Sequence, residues 1–174
     1  MGPRQVKRPV GLAIAALVAS SQAILLATPA LAACAIELAT YADRDGVAEL
    51  EFTPTTDAAT VTNTFRVLLD NDVVLDGVVQ WSDPAPRPNG MLMHKCPEGD
   101  VTGEELAVCT VWQGVIYTSD DKGNIELLPD EGEAAPPRLI LPDLGPSLRL
   151  SAAYGAGGFS KTPWDIFALK GCQE

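Results

Sequence analysis

Beyond residue 33, turn-forming residues recur so regularly that no long helix fits between them. Of the chain's 15 glycines and 14 prolines all but five lie there, and together they separate short runs of Val, Thr, Leu, Ile and aromatic residues. Proline removes a backbone donor and glycine frees the backbone, so a chain punctuated in this way builds short strands and tight turns. The clearest run is 47–53, where Val47, Glu49 and Glu51 alternate against Ala48, Leu50 and Phe52. A period of two puts one face of a strand in the core and leaves the other wet.

The same signals extend along the chain. Runs 35–42 and 47–53 flank the turn Asp43-Arg44-Asp45-Gly46, and runs 60–69 and 73–81 flank Asp70-Asn71-Asp72. Asp76-Gly77 is expected to bulge or break the second of that pair. Run 91–95 is a short strand candidate, and 110–118 with 124–128 reads as a hairpin about Asp120-Asp121-Lys122-Gly123. Runs 138–141, 147–153 and 164–169 are the last strand candidates, with 148–154 open to a short helix instead. Thr102 and Glu105 stand at capping-box spacing, so one helical turn is expected over 103–108. Residues 129–137 and 154–159 read as mobile loops. The sum is an all-β domain, an antiparallel β-sandwich or small barrel of about eight short strands with one short helical turn.

The amino-terminal segment has a different character. Arg4, Lys7 and Arg8 precede an uncharged stretch, 10–27, rich in Ala, Leu, Val and Ile. Pro29 and the small residues of Ala30-Leu31-Ala32 follow. Charge, apolar stretch and small-residue site in that order describe a secretory signal peptide over 1–33. The expected domains are therefore the signal and one exported β domain, 34–174, periplasmic or secreted. Ser20-Ser21-Gln22 interrupts the apolar stretch and favours cleavage over a retained anchor, and no integral membrane domain is then expected. Leu31-Ala32-Ala33-Cys34 also resembles the lipobox of bacterial lipoproteins, which would make Cys34 a lipid-bearing first residue tethered to a membrane.

Four cysteines, Cys34, Cys96, Cys109 and Cys172, bear on that choice. A lipid on Cys34 strands one thiol in an oxidising compartment, whereas two disulfides leave none. Nesting gives Cys34–Cys172 and Cys96–Cys109 as the economical pairing, although four cysteines allow two other connectivities. Loop entropy stabilises by about 3 kcal/mol for a loop of ~15 residues and nearly 5 kcal/mol for ~100. The outer bridge would tie the termini together and the inner one would stiffen a local excursion.

Loss of Arg4, Lys7 and Arg8 takes the net charge from −11 to −14. So acidic a surface repels nucleic acid and anionic headgroups. It suits solubility, cation binding or a basic partner; an envelope protein or a small ligand is the expected partner.

Candidate chemistry is sparse. Met91, Met93 and His94 bring two thioethers and the chain's one imidazole into four residues. Soft sulfur and imidazole suit copper, Cu(I) above all, so these three are the candidate metal ligands, set against the plainer reading of two packed methionines and a surface histidine. Asp43-Arg44-Asp45-Gly46 and Asp70, Asp72, Asp76 resemble fragments of calcium loops but lack the terminal Glu of an EF-hand, and Asp and Gly are ordinary turn residues. No nucleophile elbow, P-loop, zincin helix or dinucleotide fingerprint is present. An envelope hydrolase would need a carboxylate pair assembled by the fold. Trp112 and Trp164 fall inside strand candidates and are expected in the core. Trp81, beside a Pro-rich loop, is the expected ligand-binding tryptophan. The leading reading is a non-catalytic binding or interaction module, with a copper-binding protein as its rival and a hydrolase third.

Overall fold

The computed structural model describes residues 1–2, 34–55, 61–81, 84, 86–99 and 102–173. The expected signal segment therefore lies outside the described residues, apart from its first two. The chain divides after Leu31 into two units, and every strand belongs to the second.

That unit is all-β, as its turn spacing requires. Ten strands form one antiparallel sheet: β1 (Ala39–Asp43), β2 (Glu49–Thr53), β3 (Val61–Leu68), β4 (Val74–Trp81), β5 (Pro88–Met93), β6 (Thr110–Val115), β7 (Tyr117–Ser119), β8 (Ile125–Leu127), β9 (Arg138–Ile140) and β10 (Ile166–Cys172). Their order is β6-β5-β4-β3-β2-β1-β10-β9-β7-β8. Only Ile116 separates β6 from β7, although they lie towards opposite ends of that order. The sheet must therefore curl into a half-barrel for one chain segment to serve both ends. Ile116 marks the bend, fully buried, with its N–H donating to the Pro88 carbonyl at 3.0 Å.

Alternation fills the concave side. Tyr41, Leu50, Phe52, Phe65, Val67, Leu75, Val79, Leu92, Trp112 and Phe167 all face inward and are buried. Phe52 bridges its aromatic neighbours, 6.0 Å from Tyr41 and 5.6 Å from Phe65 between ring centroids. The Tyr41 hydroxyl donates to the Pro136 carbonyl at 3.0 Å, and burial pushes its phenol well above the usual value.

Turn chemistry sets the hairpins. Asp43 is buried, and its Oδ1 accepts the Val47 and Ala48 amides at 2.7 and 2.9 Å. This Asp fixes the β1–β2 register. At the β3–β4 turn Asn71 and Asp72 both take φ of 58°, which these residue types tolerate better than most. Asp70 there accepts the Ser160 hydroxyl at 2.6 Å and amide at 2.8 Å, which hold its carboxyl below the usual range.

Both disulfides have the nested pairing, Cys34 with Cys172 and Cys96 with Cys109, at Cα separations of 5.7 and 5.2 Å. The outer one lies at the edge of the β1–β10 ladder, where Ala39 stands opposite Cys172. The inner one joins the end of β5 to α1 (Gly103–Cys109), whose capping box is Thr102 with Glu105.

Four local expectations change. Asp76-Gly77 neither bulges nor breaks β4; the irregularity lies between Val61 and Asn63 instead. Gly77 sits opposite Phe65, and a Cβ there would meet the ring at 2.6 Å, so the glycine makes room for the aromatic. The run 147–153 is not a strand; the helical alternative holds in part, as α2 (Leu144–Leu150), which begins and ends four residues earlier than 148–154. Pro146 falls in its first turn, where an N–H is not needed, and Leu144 and Leu148 bury one face at helical spacing. The acidic loop 129–137 is tied down: Glu131 accepts from the Thr55 amide at 3.1 Å, and Gly132 donates to Glu37 at 2.8 Å. Loop 154–159 likewise plants Phe159 in the core, fully buried and 5.5 Å from Tyr154.

Gly77→Val should lower stability by about 1–3 kcal/mol, read as an earlier denaturant midpoint, because the new side chain must displace the Phe65 ring. An unchanged midpoint would show that the ring has space to move.

Candidate functional site

The outward face of β10 carries a groove. Phe167 points into the core, so its neighbours Ile166 and Ala168 point outward and form an apolar floor. Pro163 and Trp164 lead into the strand at one end. Pro146 and Arg149 of α2 form one wall. Arg138 stands opposite Ala168 in the β9–β10 register, and Arg44 reaches over from the β1–β2 turn. The groove is open to solvent and has a volume of about 1040 Å³.

Trp164 is half exposed, at 51 %. It is nevertheless fixed from two sides. Its Nε1 donates to Asp45 Oδ2 at 2.7 Å, and the Arg44 guanidinium lies 3.7 Å from its ring centroid. The same Asp45 holds Arg44 at 3.4 Å through its other oxygen. One carboxylate thus orients both the cation and the indole, which packs them as a cation–π pair.

Three of the five arginines beyond residue 33 line this groove. They differ in what they already hold. Arg138 pairs with Asp121 at 3.3 Å and donates to the Asp120 carbonyl at 3.1 Å. Arg44 has Asp45. Arg149 has no carboxylate partner among the described residues and lies 5.7 Å from the Tyr154 ring. The one acid in the lining, Asp165, accepts the amides of Asp143 and Gly145 at 2.9 and 3.2 Å, at the start of α2. Those amide dipoles offset its charge.

The residues singled out in the sequence lie elsewhere. Met91 and Met93 share the outward face of β5, opposite Gln113 and Thr110 of β6. His94 follows them, its amide bonded to the Cys109 carbonyl at 2.9 Å and its Nδ1 buried without a hydrogen-bond partner. Cys96 and Cys109 are bonded to each other, so neither offers a thiolate. Of the calcium candidates, Asp43 gives its carboxylate to backbone amides and Asp70 gives its own to Ser160. Among the described residues no group of three or more His, Cys, Asp and Glu converges on a point that could hold a metal. Trp81 is half-buried on β4, opposite Pro88. Trp112 is in the core, with its Nε1 donating to the Pro142 carbonyl at 2.9 Å.

The tryptophan expected in the core, Trp164, is the exposed one. The signal was present in Lys161-Thr162-Pro163-Trp164-Asp165, a polar, proline-bearing run that delays the strand until Ile166. The arginines carried no such signal, because they come from three separate elements and meet only in the fold.

Trp164→Phe should remove most of the acrylamide-quenchable tryptophan emission, since Trp112 is shielded and Trp81 half-buried. If Trp81→Phe removed it instead, the exposure of the groove wall would be contradicted. Comparison of the chain with protein-family models, curated proteins and solved structures gives no match.

Proposed function

We propose that this protein is an exported, disulfide-stapled binding module whose recognition surface is the groove over β10. The observation that carries the reading is Trp164: a large indole left half exposed, yet held in place by Asp45 and Arg44. Fixing an aromatic before a ligand arrives reduces the ordering cost of binding. The apolar floor of Ile166 and Ala168 supplies contact area, and the surrounding guanidiniums supply directed donors. The described lining offers fixed cations and apolar surface rather than a nucleophile beside its base, which favours binding over catalysis.

Export is supported by the character of residues 1–33 and by two disulfides, which persist in oxidising compartments. No helix among the described residues is long and apolar enough to cross a membrane. A diacylglycerol thioether on Cys34 would need the sulfur that Cys172 holds.

Titrating the isotope-labelled protein with naphthamide, a neutral aromatic probe, should move the Trp164 indole signal and the amides of 144–150 and 162–168. Shifts centred on Trp81, or none at all, would contradict this reading.

A second reading is copper held at Met91, Met93 and His94. The partnerless buried Nδ1 of His94 favours it, since a metal would satisfy that nitrogen. A Cu(I) competition titration should then show binding that weakens by about tenfold or more in His94→Ala. Equal competition by the two proteins would reject it.

A further inference from the structure

We infer that the groove over β10 takes a small amphiphilic monoanion, an apolar ring or chain bearing one carboxylate, and that Arg149 anchors the charge. This rests on the reading of that groove as the recognition surface.

The argument begins with charge. Arg44 and Arg138 already face Asp45 and Asp121, at 3.4 and 3.3 Å. Arg149 alone among the three lacks a carboxylate among the described residues, and its one close aromatic neighbour is Tyr154. The groove therefore offers one uncommitted guanidinium above an otherwise apolar floor. A guanidinium presents a planar fork of donors that a carboxylate meets with two parallel hydrogen bonds. An apolar body attached to that carboxylate would lie on Ile166 and Ala168 and against the Trp164 ring. The volume of about 1040 Å³ accommodates such a body with room for the head group.

Charge elsewhere limits the size of the anion. The chain beyond residue 33 carries −14 overall. Screening confines the attraction of the arginines to about 8 Å at physiological ionic strength. An acidic polymer would extend past that distance and meet the repulsive remainder of the surface, whereas a single charge would not. Asp165 is the nearest acid in the lining, and its oxygens are turned to the Asp143 and Gly145 amides.

Naphthoate and octanoate, with their neutral amides, test the inference by calorimetric titration of the full-length exported protein. The carboxylates should bind about tenfold more tightly than the amides, as one charge-assisted pair would give. Arg149→Gln should erase that difference, bringing acid and amide to equal affinity, and circular dichroism would check that the variant folds. Trp164→Ala should weaken acid and amide alike. Equal binding of acid and amide to the unaltered protein would overturn the monoanion while leaving the groove as a binding surface. A preference that survives Arg149→Gln would overturn the assignment to Arg149. Binding of none of the four compounds would overturn the inference and the groove reading together.

Discussion

The groove depends on the pairing of β1 with β10. Those strands come from opposite ends of the described chain, and their ladder runs from Ala39 opposite Cys172 to Asp43 opposite Phe167. Contacts so distant in sequence carry a loop-closure cost, and the Cys34–Cys172 bond offsets it by closing that loop already in the unfolded chain. Once β10 is held, its alternation does the rest. Phe167 enters the core, and Ile166 and Ala168 must therefore face outward. The same docking carries Trp164 to the β1–β2 turn, where Arg44 and Asp45 receive it.

A second constraint is the scarcity of positive charge on an acidic protein. Exposed ion pairs contribute little to stability, so Arg44 and Arg138 are poorly explained as staples of the fold. Their placement around one apolar floor is better understood as the shaping of a local field. Guanidiniums over low-dielectric walls act more strongly than the same groups scattered in water. The Arg44–Asp45–Trp164 cluster also holds the indole beside the floor it borders.

Much of the architecture was legible in the sequence because it is written in local chemistry. Alternation located β2, turn residues located the β1–β2, β3–β4 and β7–β8 hairpins, and Thr102 with Glu105 located α1. Nesting of the cysteines pointed to their pairing. What escaped was long-range. Gly77 resembles a strand breaker until Phe65 is seen lying on it. The 147–153 run resembles a strand until Pro146 is placed in the first turn of a helix capped by Asp165. Phe159 looked like part of a mobile loop until it was found in the core. The groove was illegible for the same reason: Arg44, Arg138, Arg149 and Trp164 share no spacing, only a destination. Met91, Met93 and His94 were conspicuous because they are neighbours in sequence; Met91 and Met93 share one face of β5, and His94 follows the strand's last residue.

The most direct test of the account is a non-reducing peptide map of the protein recovered from the envelope of expressing cells. The account predicts one cross-linked peptide pair containing Cys34 and Cys172 and another containing Cys96 and Cys109. Cys34 found acylated, or linked to Cys96 or Cys109, would contradict it. The stapled ladder that presents Trp164 would then lose its foundation.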